Sequence, residues 1–102
     1  MTELTDKTID SATTSGVTVV DFYAEWCPPC KMLSPIFDKT ASMMASQASF
    51  YKMDAESNPD TVIKHQVNSL PTILIFKDGA VVDRQRGLMN QSQLETLVKK
   101  HI

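Results

Sequence analysis

Seven consecutive residues, Val17-Thr18-Val19-Val20-Asp21-Phe22-Tyr23, are β-branched or apolar on both faces of an extended chain, with a single acid among them. A strand with two apolar faces must be covered on both sides, so it belongs in the middle of a sheet that has a layer on each face. The flanking sequence supplies helices for those layers. From Pro29 onward, Met32, Leu33, Ile36, Phe37, Thr40, Met43 and Met44 follow three-four spacing. That spacing predicts a long amphipathic helix, kinked where Pro35 lies inside it. Asn58-Pro59-Asp60 offers a cap, a proline at the first helical position and an acidic first turn, for a short helix to about Gln66. A last helix starts at Asn90, with Gln93 completing a capping box and Leu94, Leu97 and Val98 facing inward. It ends on Lys99, Lys100 and His101, where cations suit the helix dipole. The polar segment from Thr5 to Ser15, with Ile9 and Ala12 at helical spacing, predicts a first helix.

Ser49 to Asp54 reads as a second strand, and Thr72 to Lys77 and Ala80 to Arg86 as two more joined by the hairpin turn Asp78-Gly79. Only Thr2 to Leu4 is available for an N-terminal strand. The alternation predicts an α/β fold over residues 1–102: one domain, with a central mixed sheet of four to five strands and four helices divided between its faces. A hydrophobic fraction of 42% suffices for a core without disulfide staples. A net charge of −2, with ten basic residues scattered along the chain, leaves no electrostatic footprint for nucleic acid or an anionic membrane. No run approaches the roughly 20 apolar residues of a membrane span, and the first residues lack a basic and then apolar leader, so a cytoplasmic monomer is expected. A structural disulfide does not persist in that compartment. Cys27 and Cys30, the only cysteines, are therefore candidates for redox catalysis or metal binding.

Cysteines three apart at a helix start have Cα atoms about 5 to 6 Å apart, within the range a disulfide requires. Such a pair carries two electrons reversibly. The attacking species in thiol exchange is the thiolate, which the free N–H groups and partial positive charge of a helix N-terminus favour. Cys27, ahead of the helix and followed by Pro28 and Pro29, is expected to be the more exposed sulfur and the nucleophile. Cys30, one turn in, is then the resolving thiol. Asp21 has two readings. Buried in a central strand, its pKa rises and it can take the proton from Cys30; at a sheet edge it merely ends the strand. Lys52 is likewise either an ion partner for Asp21 or an exposed edge-strand lysine.

The run Val20-Asp21-Phe22-Tyr23-Ala24-Glu25-Trp26-Cys27-Pro28-Pro29-Cys30-Lys31-Met32 closely resembles the active-site signature of thioredoxins. The resemblance extends to Pro35, Lys52, Asn58-Pro59, Leu70-Pro71-Thr72, Asp78-Gly79 and Gly87. It implies the thioredoxin fold and a protein-disulfide reductase that binds no cofactor. Such a protein is re-reduced by thioredoxin reductase drawing on NADPH, and acts on disulfide-containing proteins. It also implies a cis bond at Leu70-Pro71, with Pro71 against the cysteines, and an apolar docking rim of Trp26, Leu70, Gly87 and Leu88 beside Pro28 and Pro29.

The chain departs from the family pattern at three places. Pro28 stands where glycine is usual, and Pro29 disfavours helical geometry at Pro28, so a stiffer loop is expected. Tyr23 replaces a common tryptophan, with little chemical consequence expected. Arg86 replaces an apolar residue ahead of Gly87 and points toward acidic substrates or a particular reductase. Because the residues between the cysteines vary between reductases and oxidases, an oxidase or isomerase is an alternative. A two-thiolate metal module is another, although a structural zinc site needs four ligands and only His65 and His101 remain to supply them. His65 is read as a solvent-facing helix residue, and Met32, Met43 and Met44 as core packing rather than copper ligands. A docking module without catalysis is disfavoured by the joint presence of both cysteines, Asp21 and Lys52.

Overall fold

Strand β1 (Val17–Tyr23) lies inside a mixed sheet in the computed structural model, which describes residues 1–102. It pairs in parallel with β2 (Ser49–Asp54) and antiparallel with β3 (Thr72–Lys77). A hairpin leads from β3 to β4 (Ala80–Arg86), giving the order β2-β1-β3-β4. The hairpin turn places Asp78 at φ 50° and Gly79 at φ 90°, the two left-handed positions that an Asp-Gly turn supplies. The expected fifth strand reduces to one parallel bridge between Glu3 and Lys52, because only Leu4 N–H and Thr2 C=O bond to β2.

The period-two alternation of β1 sorts its side chains to two cores. Val17 and Val19 pack with Leu33 and Phe37 of α2 (Pro28–Met43) and with Leu94 and Val98 of α4 (Gln91–Lys99). Val20 and Phe22 face the other way, against Leu4, Met53, Val67 and Ile9 of α1 (Ile9–Ala12). The short α3 (Pro59–Lys64) adds Val62 to that second layer. Each large side chain so buried contributes about 1.5–3 kcal/mol, and the cover on both faces buries Thr18 and Asp21 along with the apolar residues of β1. Asp21 shares the parity of Val17 and Val19. Its side chain therefore points to the face on which α2 lies, and this positions the site.

Several expectations are corrected. The first helix is a single turn, Ile9–Ala12, because Thr13 Oγ1 bonds back to Ile9 C=O and the hydroxyls of Ser11 and Thr14 take other carbonyls of the segment. Helix α2 begins at Pro28, one residue early, since a proline in the first turn forfeits no hydrogen bond. Pro35 lies inside this helix, as expected. Its buried stripe is Cys30, Leu33, Phe37 and Thr40, with Met44 behind it, whereas Met32 and Met43 are 60% and 57% exposed. Three-four spacing alone allowed a stripe wider than the one the sheet covers. The capping box of α4 forms as expected, with Asn90 and Gln93 exchanging side-chain bonds to each other's backbone N–H.

Asn58 occupies the position before α3 but makes no side-chain cap. Its Oδ1 accepts from Asp6 N–H at 2.9 Å, and the Asp6 carboxylate caps the helix instead, accepting from Thr61 N–H at 2.9 Å, Thr61 Oγ1 at 2.6 Å and Asp60 N–H at 3.2 Å. The hydroxyl of Thr61 is the main reason the Asp6 pKa lies below its ordinary value. Replacing Asp6 with alanine is expected to lower the thermal unfolding midpoint while leaving the redox equilibrium of the cysteines unmoved. Calorimetry and thiol titration of the same sample check both halves. The stabilisation is present above the ordinary carboxylate pKa and is lost as pH falls through the depressed one.

Candidate active site

Cys27 and Cys30 are joined by a disulfide with Cα atoms 5.2 Å apart. Cys27 is the N-cap residue of α2, in extended geometry, and its Sγ accepts from the Cys30 N–H at 3.3 Å. The sulfur thus occupies the place where a helix N-terminus offers free donors and positive potential. The expectation that Cys27 is the more exposed sulfur fails: both cysteines are 3% exposed and pack with Ala24 and Leu70. What separates them is their surroundings. Cys30 lines a cleft of about 220 Å³ with Asp21, Ser34, Lys52 and Tyr23, and Cys27 does not. Pro28 and Pro29 are exposed, and Trp26 is 64% exposed beside the pair.

Asp21 is 1% exposed, and its Oδ1 has no hydrogen-bond partner in the protein. Asp21 is therefore buried within the sheet and does not end the strand at an exposed edge. Burial lifts its pKa from 3.8 to about 7, against a lowering by the Lys52 charge and with a smaller rise from Asp38. Lys52 stands opposite Asp21 in the β1–β2 register. It is not, however, bonded to Asp21. Its Nζ lies 3.0 Å from Asp38 and donates to Ser34 Oγ at 2.6 Å, so the expected ion pair with Asp21 is replaced by one to α2. Lys52 acts on Asp21 through its field alone.

The residues expected to form a docking rim fall in three places. Trp26 and Leu70 line one groove with Val62, Val67 and Glu56, and Glu56 Oε1 accepts from Trp26 Nε1 at 2.7 Å. The Leu70-Pro71 bond is cis, Leu70 packs against the cysteines, and Pro71 C=O accepts from Gly87 N–H at 2.9 Å. Gly87 sits at φ 89° with open space where a Cβ would stand, so its backbone conformation, not crowding, calls for glycine. Leu88 lies apart, in a cleft with Gln85, Ser92 and Thr96 of the α4 side. Arg86 is exposed. Tyr23 has more chemistry than expected: its hydroxyl donates to both Glu3 carboxylate oxygens, at 2.6 and 2.7 Å. Burial and that acceptor raise its pKa.

Neither histidine serves the cysteines. His65 is half-buried rather than solvent-facing, edge-on to Phe76 at 5.5 Å, and burial lowers its pKa. His101 pairs with Asp83 at 2.8 Å, and no group of three His, Cys, Asp or Glu side chains is arranged to hold a metal ion. The sequence reading missed Glu56, Glu3, Ser34 and Asp38. For the last two a signal existed: Cys30, Ser34 and Asp38 recur every four residues and make one polar stripe along α2. No local pattern marks Glu3 or Glu56.

A small α/β domain that holds a reversible disulfide at a helix N-terminus, over a buried acid, defines a thiol-disulfide oxidoreductase. The thioredoxin family model matches residues 1–100. Thioredoxins of Staphylococcus aureus strains Mu50, MW2 and N315 are each 40% identical over 100 residues, covering 98% of this chain and 96% of theirs. The chain belongs to the thioredoxin family. It is a protein-disulfide reductase, and its family works on disulfide-bearing substrates with a reductase as partner. No helix is long and apolar enough to cross a membrane.

Proposed function

We propose that the chain acts as a single-domain, monomeric cytoplasmic thioredoxin in which Cys27 attacks, Cys30 resolves and Asp21 manages the proton. The Cys27 thiolate attacks a substrate disulfide; a Cys27–substrate S–S bond forms as the substrate's own S–S bond breaks, and one substrate thiolate leaves and takes a proton from water. Cys30 then gives its proton to the Asp21 carboxylate, and its sulfur bonds to Cys27 as the Cys27–substrate bond breaks, the second substrate sulfur leaving as a thiolate that takes a proton from water. The substrate departs with two thiols and the chain holds the disulfide. A thioredoxin reductase, passing on two electrons from NADPH, restores the dithiol. Trp26, Leu70, Pro71 and Gly87 form the surface on which an extended substrate segment lies, with Pro28, Pro29 and Leu88 at its margins.

The observation that carries this reading is the Cys30 N–H bond to Cys27 Sγ, with Cys30 alone opening on the Asp21 cleft. It assigns opposite environments to the two sulfurs. The expected result is NADPH consumption, followed by absorbance, when the oxidised protein is mixed with a thioredoxin reductase, and a reduction potential near −270 mV on equilibration with a reference couple. A value near −120 mV with no NADPH consumption would replace this reading with the oxidase one.

A further inference from the structure

We propose that Ser34 and Asp38 are positioning residues for the exchange reaction: together they hold the Lys52 ammonium on α2, leaving the Asp21 carboxyl unpaired and free to exchange a proton with Cys30. Lys52 faces Asp21 directly across the parallel ladder, so its backbone position alone brings the ammonium toward the one buried carboxyl on that face. Its Nζ nevertheless lies 3.0 Å from Asp38 and 2.6 Å from Ser34 Oγ, with only 16% of the side chain exposed. Asp21 lines the same cleft, and its Oδ1 has no hydrogen-bond partner.

A lysine engaged directly with Asp21 would hold it as a carboxylate, a base too weak to take a proton from a thiol. A lysine removed altogether would let burial push the Asp21 pKa higher still, leaving less of the carboxylate that can accept one. Ser34 and Asp38 fix an intermediate distance, at which the cation tempers the effect of burial without cancelling it. The other charged groups around the cleft are differently engaged. Glu3 accepts from the Tyr23 hydroxyl, while Glu25 and Lys31 are exposed at its margin. Cys30, Ser34 and Asp38 share one stripe of α2, so the helix that delivers the resolving thiol also delivers the anchor for the lysine.

The inference rests on Asp21 as proton acceptor, yet its test does not. The titration midpoint of the Asp21 carboxyl, followed by carbon NMR in the isolated oxidised protein, reports where Lys52 stands whatever Asp21 does in turnover. Ser34→Ala, which changes no charge, should lower that midpoint by about half a pH unit, and Asp38→Asn by about one or more. In a Lys52→Met background the Ser34→Ala shift should vanish, and the Asp38→Asn shift should shrink to less than half, the remainder being the direct effect of the Asp38 charge. Unchanged midpoints with Lys52 present, or shifts of equal size with and without it, would overturn the proposal. Ser34→Ala is the smaller change and keeps the question open to measurement if Asp38→Asn fails to fold. In turnover, the pH at which the resolving step reaches half its maximal rate should move with the midpoint. A role of Asp38 in stability alone would leave that pH unmoved.

Discussion

Replacing Cys30 with serine is expected to leave the protein covalently joined to its substrates. Attack by Cys27 still forms the mixed disulfide, but the sulfur that would break it is gone. The loss is large because Cys30 is held by the helix one turn from Cys27, with Cα atoms 5.2 Å apart. Intramolecular reaction between groups so oriented corresponds to an effective concentration on the order of 10⁵ M or more, which millimolar external thiol cannot match. Turnover should fall by several orders of magnitude, and non-reducing gels of a lysate treated with Cys30→Ser should show adducts that collapse on adding dithiothreitol. Cys27→Ser should capture nothing, since its remaining sulfur lies behind the helix N-terminus, against the Asp21 cleft. Equal capture by both variants would remove the assignment of roles, and capture by neither would remove the mechanism.

The proposed asymmetry was read from the sequence for one reason and is supported by the structure for another. The sequence placed Cys27 ahead of a helix and Cys30 inside it, and inferred a difference in exposure. The two sulfurs are in fact equally covered, because Ala24 and Leu70 pack against both, and a segment 40 residues away leaves no mark near the cysteines. The difference lies in what each sulfur faces. The same division runs through the fold. Strands β2, β3 and β4, the Asp78-Gly79 turn and the α4 capping box were legible because their determinants are local: alternation, left-handed turn residues, and a cap with its partner three residues on. The cap of α3 was misread because Asp6 supplies it from 54 residues away. Met32 and Met43 were placed in the core because periodicity reports the apolar face of a helix and says nothing of how wide a strip the neighbouring sheet covers. For Lys52, sequence resemblance located the residue and its neighbour. Only coordinates show which of two carboxylates the ammonium touches.

Replacing Asp21 with asparagine is expected to make the protein more stable at neutral and alkaline pH and slower at the same time. In the folded state the Asp21 pKa is raised to about 7, from 3.8, with burial as the first cause. The folded protein therefore binds a proton between these values that the unfolded chain releases, so stability from this group is fully present below the unfolded pKa and is lost as pH rises through the folded one. At about 1.4 kcal/mol per pH unit the loss is about 4 kcal/mol, complete above pH 8. Asparagine carries no charge at any pH and escapes it. The measurable quantity is the stability difference between Asp21→Asn and the parent from urea unfolding, which should be about 4 kcal/mol greater at pH 8 than at pH 3.5. No new penalty arises from a stranded Lys52, because its ammonium is already paired with Asp38 at 3.0 Å. The kinetic cost comes from the same proton. An amide cannot accept it, so the resolving step loses a general base worth on the order of 10²-fold, and its rise through pH 7 should flatten. A variant that gained the stability but kept the rate and its pH profile would show that the buried acid is a burden the fold carries for some purpose other than the Cys30 proton. One that lost the rate without gaining stability would show that Asp21 is already ionised and stabilised in the folded protein.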